Sequence, residues 1–473
     1  MARRTRSFTG AAFFDLDRTL LAGASGPVYS GALREVGVLT GEAHPIESVL
    51  FKMFDLFGEN YPTMVFTRTG VRLVKGWDVA AVTEAARLAA PRLMERVLPY
   101  AHVEIAEHRA HGRALVMATT TPDHLVRPLA DLLGFDHVIA TRYGRSADGA
   151  TFDGTVDGEY VWGKGKSRSV QTWAAEAGID LAASHAYSDS YYDVPLLSIV
   201  GNPHAVNPDP RLAVIAALRR WPARSFQAPH GVPRFAGLEP QQLAMMFARP
   251  ELMPFVRFRT YGKKRIPLDG PAIIVGNHRS YFDPLAIGFL LAQRGRPVRF
   301  LGKKEVFDAP IVGDVARAMG GIRVERGTGS DEPLRQALDA LEAGDIVAMM
   351  PQGTIPRGKA FFEPKLKGRW GAARLAAMTG APVVPVGLWG TEKVWPRSAR
   401  LPNVLNVVEP PEVRVRVGTA VPLKYKDPDA DTKKLMKAIM DLLPPESREK
   451  REPTAAELAA SLPPGYKGDP SGE

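Results

Sequence analysis

At 473 residues, 45% of them hydrophobic and 24% charged, the chain is globular in composition and longer than one core usually serves, so two domains are expected. It contains no cysteine, which excludes disulfides, thiolate metal sites and cysteine nucleophiles and accords with a reducing cytoplasm. Its formal charge of +10 favours an anionic partner: a phospholipid surface, a phosphorylated substrate, coenzyme A or nucleic acid.

The basic start Met1-Ala2-Arg3-Arg4-Thr5-Arg6 resembles a signal n-region, but the apolar run after it is short and meets Asp15 and Asp17. No secretory signal is expected. No stretch approaches the roughly 20 apolar residues that span a bilayer, so any membrane contact is expected to be peripheral.

Residues 11–17 read as a strand, an apolar run ending in polar residues. Residues 30–110 are mostly helical in pattern. A strand over 114–118, a helix over 122–133 and a strand over 137–140 predict a parallel sheet. Strands at 185–189 and 205–207 follow, and the unit closes near Trp221-Pro222. Residues 223–240, with several Pro and Gly, read as a connector. Residues 243–261 are apolar with interspersed arginines and suit either an anionic lipid surface or an interdomain helix hairpin. Strands are expected at 272–276, 298–301, 346–350, 383–388 and 413–417. From Pro444 the chain reads as a poorly ordered tail.

Two chemistries are written on this frame. In Asp15-Leu16-Asp17-Arg18-Thr19 the two carboxylates stand two residues apart on a strand, so they emerge on one side. The carboxyl end of a parallel strand is where such sheets bind ligands. Thr119 follows a second strand and can donate to phosphate. Lys166, opening the helical run 167–177, supplies a cation and is preferred over Lys164. Asp189-Ser190-Tyr191-Tyr192-Asp193 adds two more acids.

In this order the four pieces resemble the haloacid dehalogenase (HAD) superfamily, in its phosphoserine-phosphatase-like branch, over about residues 8–225. The resemblance implies a Rossmann-like parallel sheet with a helical cap at about 24–110. It implies Asp15 as the nucleophile that forms an aspartyl-phosphate, and Asp17 as general acid and then base. Mg²⁺ is expected among the aspartates 15, 17, 189 and 193, with Asp15, the Asp17 carbonyl and Asp189 as ligands and Asp193 behind them. Thr119 and Lys166 are expected to neutralise the phosphoryl group.

The second chemistry is Asn277-His278-Arg279-Ser280-Tyr281-Phe282-Asp283, after the run Ala272-Ile273-Ile274-Val275. Asp283 lies about one helical turn beyond His278, within reach of one ring nitrogen, which leaves the other to take a proton from a hydroxyl. No Gly-x-Ser-x-Gly elbow lies nearby, so the nucleophile is expected to be the substrate's own alcohol and the reaction a direct acyl transfer.

This block resembles the first of the glycerol-phosphate acyltransferase superfamily, closest to 1-acylglycerol-3-phosphate acyltransferases of the PlsC type. Gly321-Ile322-Arg323-Val324-Glu325-Arg326 resembles its second block, Pro351-Gln352-Gly353-Thr354 its third and Val384-Pro385-Val386-Gly387 its fourth. The resemblance implies a second α/β domain that transfers an acyl group from acyl-CoA or acyl carrier protein to a lysophospholipid acceptor, giving phosphatidate. Asn277, Lys303, Lys304, Arg323, Arg326, Gln352, Gly353 and Thr354 are expected to bind substrate. The family's third block reads Pro-Glu-Gly-Thr-Arg, whereas this chain has Gln352 and Ile355, and Arg357 and Lys359 are candidates for the missing cation.

The expected organisation is a phosphatase domain over 1–225, a linker and amphipathic helical segment over 226–255, an acyltransferase domain over 256–443 and the tail over 444–473. The expected place is the cytoplasmic face of a bacterial plasma membrane, on an anionic surface. The alternative is a phosphatase alone, with the second domain a membrane-binding module. Nucleic acid is not expected, since no helix-turn-helix, zinc finger or aromatic-basic RNA motif is visible.

Overall fold

The run Ala11–Phe14 is apolar and buried at every position, which a strand covered on both faces requires. A computed structural model describes residues 8–39, 71–229, 231–234, 238–325 and 332–468, and the chain divides into residues 1–230 and 231–473. Each unit is built on its own sheet.

The strands of the first unit are β1 (Ala11–Phe14), β2 (Ala114–Thr119), β3 (His137–Ala140), β4 (Arg142–Arg145), β5 (Phe152–Asp157), β6 (His185–Ser188), β7 (Asn202–Val206) and β8 (Ala223–Arg224). Six form a parallel sheet in the order β3-β2-β1-β6-β7-β8. The chain leaves β1 toward β2 on one side and later returns on the other as β6. The crevice where the direction of winding reverses therefore opens beyond β1 and β6. β4 and β5 form a separate antiparallel hairpin that the sequence reading did not anticipate.

Of the expected cap, the helices Gly26–Glu35, Val79–Met94 and Pro99–Ala110 are described; residues 40–70 lie outside the described residues. Asp78 caps the second of these helices by accepting from the Ala81 N–H at 2.7 Å.

The second unit holds β9 (Arg257–Tyr261), β10 (Ala272–Gly276), β11 (Val298–Lys303), β12 (Ile322–Val324), β13 (Ile346–Met349), β14 (Val383–Trp389) and β15 (Glu412–Val417). Their order is β12-β11-β13-β10-β14-β15-β9, with β15 antiparallel to β14 and every other pairing parallel. Along β10 the side chains alternate between two cores. Ala272 and Ile274 enter one, beside Ile287 and Leu290, while Ile273 and Val275 enter the other, beside Leu375 and Ile439.

Three expectations change here. β1 ends at Phe14 rather than Asp17: the chain coils over Leu16–Leu20, with Arg18 in the left-handed region at φ 59°. Residues 243–261 form no helix hairpin. Pro250 and Pro254 break the run, leaving a short helix Pro240–Met246 and the edge strand β9. Gln241 instead pairs with the Val298 main chain in both directions, and Glu239 forks onto the buried Arg299 at 2.6 and 2.9 Å. The expected disordered tail carries a helix, Ala455–Ala460, closed by a Thr454–Glu457 capping box. Ser461 beyond it accepts from the Gly358 N–H at 3.0 Å.

Candidate active sites

In the first unit, Asp15 continues β1, its N–H bonded to the Tyr187 carbonyl of β6 at 3.0 Å. Asp189 leaves β6 beside it, so two strand ends deliver two buried carboxylates to one crevice. Lys166, fully buried, reaches Asp15 Oδ1 at 2.9 Å and Asp193 Oδ2 at 2.7 Å. It sits on the helix Lys164–Ala177, whose first turn lies against the Tyr160 carbonyl. Gly165 is there because any Cβ would collide with that oxygen. Lys164 opens this helix, ahead of the expected start at 167, and is exposed.

Ser188 Oγ donates to the same Asp193 oxygen at 2.7 Å. Arg18 Nε lies 3.2 Å from Asp189 Oδ2. Thr119, buried at the end of β2, accepts from the Thr121 N–H. Asp17 accepts from the Ser25 N–H at 2.5 Å and from Thr121 Oγ1 at 3.5 Å. Burial raises its carboxyl above the ordinary aspartate range, against the lowering by those hydrogen bonds and by Lys166.

The expectation of four aspartates around a metal narrows. The Asp17 carboxylate is turned to Ser25 and Thr121, and Asp193 gives Oδ2 to both Lys166 and Ser188 while its buried Oδ1 has no hydrogen-bond partner among the described residues. Among the described residues no three His, Asp or Glu side chains stand close enough to hold an ion together. What remains is Asp15, Asp189 and main-chain oxygen, a hard donor set of the kind Mg²⁺ accepts, since that ion takes one or two carboxylates and keeps several waters. A cavity of about 740 Å³ lies alongside, lined by Trp162, Lys164, Gly165, Tyr191 and Tyr192. None of Asp15, Asp17, Thr119, Lys166 and Asp193 lines it.

In the second unit, β10 ends at Gly276 and the chain turns through Asn277 and His278 into the helix Asp283–Ala292. His278 Nδ1 stands 2.8 Å from Asp283 Oδ2. The same oxygen accepts the main-chain N–H of Arg279 at 2.6 Å and of Ser280 at 2.8 Å. Asp283 is fully buried, while His278 stays partly open to solvent. With Nδ1–H donating to the aspartate, Nε2 is the ring's acceptor.

Gln352 enters from the turn after β13 and its Oε1 accepts the His278 main-chain N–H at 2.6 Å. Gly353 turns there with φ 70°. Lys303 Nζ, at the end of β11, donates to Thr354 Oγ1 at 3.0 Å, which brings two more expected residues together.

Others do not converge. Asn277 is buried and bonds the Leu388 main chain through both Oδ1 and Nδ2, so it fastens β10 to β14 rather than facing substrate. Lys304 pairs with Glu325 on the surface at 2.6 Å. Arg323 is half exposed beside Asp308 at 3.3 Å. Arg357 stacks on Tyr466, 5.2 Å from the ring centroid, so it does not replace the missing cation. Arg326 lies outside the described residues.

Some site members escaped the sequence reading. The Arg279 guanidinium lies 4.3 Å from the rings of both Phe361 and Trp389 and bonds Glu392 at 3.1 Å. Nothing in the local sequence signals this, because its partners come from more than eighty residues downstream. Ser25 and Thr121 around Asp17 were likewise unassigned, although the Thr119-Thr120-Thr121 run was visible.

Residues 12–198 match the family described as haloacid dehalogenase-like hydrolase. Over 224 residues the chain is 37% identical to the inhibition of morphological differentiation protein of Streptomyces azureus, an alignment covering 46% of this chain and 79% of that one. The chain belongs to the haloacid dehalogenase-like hydrolases. Phosphoserine phosphatase SerB1 of Mycobacterium tuberculosis is 32% identical over 224 residues, 46% of this hydrolase chain and 71% of its relative. Residues 257–389 match the acyltransferase family. Over 167 residues, 35% of this chain and 44% of the other, the identity to the chloroplastic 1-acyl-sn-glycerol-3-phosphate acyltransferase LPAT1 of Arabidopsis thaliana is 30%. This hydrolase therefore continues into a second, acyltransferase domain, a fusion of a phosphoserine-phosphatase-like unit with a PlsC-type unit.

Proposed function

We propose that the protein transfers an acyl group from acyl-CoA to 1-acyl-sn-glycerol-3-phosphate, giving phosphatidate, and that its first unit hydrolyses a phosphomonoester with Mg²⁺. The observation that carries the acyl-transfer reading is the 2.8 Å bond between His278 Nδ1 and a buried Asp283 that also accepts two main-chain N–H groups. Asp283 fixes the tautomer and stabilises the imidazolium. Nε2 takes the proton of the acceptor hydroxyl, the oxygen attacks the thioester carbonyl, the C–S bond breaks, and the imidazolium returns the proton to the departing thiolate. Lys303, which donates to Thr354, is our candidate cation for the acceptor phosphate.

In the first unit, an Asp15 oxygen attacks phosphorus and the ester bond breaks while Asp17 protonates the leaving oxygen. Water then attacks the aspartyl-phosphate, giving its proton to Asp17. Lys166 offsets the charge of the phosphoryl oxygens and of Asp15. Asp15 and Asp189 would hold Mg²⁺, which would supply charge neutralisation to the phosphoryl transfer.

A phosphatase with a mere membrane-binding module is the alternative, and the departure from the family pattern at Gln352 is what would favour it. The bond from the His278 N–H to Gln352 supports the acyl-transfer reading over it. Among the described residues no helix is long and apolar enough to cross a membrane, and we place the protein peripherally on the cytoplasmic face.

The test is purified protein with labelled acyl-CoA and lysophosphatidate, assayed in parallel for phosphate release. His278→Ala is expected to abolish phosphatidate formation and spare phosphate release; Asp15→Asn does the reverse. Wild-type protein that makes no acylated product, or phosphate release that survives both Asp15→Asn and chelation, refutes the respective half.

A further inference from the structure

β10, β11, β13 and β14 run parallel, so the segments leaving their carboxyl ends share one end of the sheet. His278 follows β10 there, Gln352 follows β13, and the long connection from β14 to the antiparallel β15 departs from the same end. That connection is tied to the catalytic turn. Ser280 Oγ donates to the Trp395 carbonyl at 2.7 Å, and the Tyr281 ring packs edge-on against Trp395 at 5.7 Å.

Beyond Trp395 the connection turns its apolar side chains outward. Leu401, Val404, Leu405, Val407 and Val408 are all exposed, Leu405 by 87% and Val408 by 89%. One exposed aliphatic is ordinary; five within eight residues make a patch that calls for an occupant. The loop has a defined shape: the Asn403 N–H bonds the Val394 carbonyl at 3.1 Å and Asn406 Nδ2 bonds the Glu409 carbonyl at 2.9 Å.

Charge identifies that occupant. Arg397 and Arg400 precede the apolar run and Glu409 follows it; the Arg397 guanidinium is held by the Ile355 and Pro356 carbonyls, so the exposed Arg400 is the cation this flank offers. Exposed Arg257 of β9 is fixed at the loop's base, its main-chain N–H on the Pro411 carbonyl at 2.9 Å and its Nε on the Pro410 carbonyl at 3.1 Å. An apolar tip with arginines behind it matches the depth profile of an anionic bilayer, acyl chains below phosphate headgroups.

We infer that the loop Leu401–Val408 inserts into an anionic lipid bilayer and thereby holds the His278 site against the membrane that supplies its acceptor. The inference rests on the acyltransferase reading above only for that last clause.

The full chain has no cysteine, so Leu405→Cys can be labelled at one position with a polarity-sensitive dye. Leu268→Cys, on the exposed turn before β10 at the opposite end of the sheet, is the control. With phosphatidylcholine–phosphatidylglycerol vesicles the label at 405 is expected to shift to the blue and the label at 268 to stay unchanged. Leu405→Glu with Val408→Glu is expected to weaken vesicle binding about tenfold or more. The same double variant is expected to lose transfer to vesicle-borne lysophosphatidate while keeping transfer to a short-chain monomeric one.

Vesicle binding equal to wild type in the double variant overturns the inference. So does a variant that loses self-association on sedimentation while its vesicle binding is unchanged, since the occupant is then a second copy. If wild type acylates neither acceptor yet its vesicle binding falls in the variant, the catalytic reading fails and the docking surface stands.

Discussion

Gln352 Oε1 accepts the main-chain N–H of His278 at 2.6 Å, so the third sequence block of the acyltransferase domain holds the backbone of the first. An amide oxygen can accept this bond as a carboxylate oxygen can, so glutamine keeps the contact where the family pattern has glutamate. The role is to position His278, and position is worth much in catalysis.

Gln352→Ala is therefore expected to lower kcat/KM for acyl transfer by about tenfold to a hundredfold, and Gln352→Glu to stay within a few-fold of wild type. Steady-state rates with lysophosphatidate decide it. Equal losses in both variants would assign the amide N–H₂ group a contact of its own.

Lys166 is shared by Asp15 and Asp193 with no exposed surface. Its removal strands two buried carboxylates, so Lys166→Met is expected to stop phosphate release and to cost about 3–5 kcal/mol in the unfolding of the first unit. Adding Asp193→Asn is expected to return part of the stability and none of the activity, read by denaturant unfolding beside the phosphatase assay.

Because burial holds the Asp17 carboxyl above its usual range, its proton persists to higher pH than an ordinary aspartate allows. Release of phosphate from an alkyl phosphomonoester is expected to fall as pH rises through that value. Asp17→Asn is expected to cost about 10²–10⁴-fold with an alkyl ester and much less with p-nitrophenyl phosphate, whose leaving group needs no proton. Equal losses with both would show that Asp17 is not the acid.

Behind β1, Arg113 donates to His108 Nδ1 at 3.1 Å, so Nε2–H faces the Tyr187 hydroxyl at 2.8 Å, and that hydroxyl donates to Glu104 at 2.6 Å. Burial first, then His185 and nearby arginines, depress the His108 pKa to about 3. The unfolded chain thus binds a proton near pH 6.5 that the folded one refuses. The stability this confers is complete above pH 6.5 and drains away as pH falls toward 3, by up to about 1.4 kcal/mol per pH unit for one proton. His108→Gln is expected to flatten that slope in unfolding measured from pH 7 to 4; an unchanged slope would clear His108.

The strand ends that carry Asp15, His278, Gln352 and Asp189 were legible because short apolar runs followed by polar residues mark covered strands wherever they occur. Lys166 was preferred over Lys164 as the opening of a helical run over 167–177; the helix in fact begins at Lys164, and Lys166 is the buried one of the two. What failed was partnership. Asn277 looked like a ligand until its side chain was found joining Leu388, 111 residues away. Pairings at such separation leave no local trace, and neither did the edge strand β9 or the hairpin β4–β5. The Thr454–Glu457 box was readable, but the surrounding charge and proline masked it.

The residues flanking the last described helix pack back onto the segment Gly358–Phe362. Ser461 secures Gly358, Arg451 covers Phe362 at 5.2 Å, and neighbouring Phe361 supports the Arg279 guanidinium one residue from His278. Trimming the chain near Pro444, the obvious cut for anyone making a shorter protein, would thus strip the floor from under Arg279. An expression design that respects this would keep every residue through Tyr466 and hang purification handles beyond it.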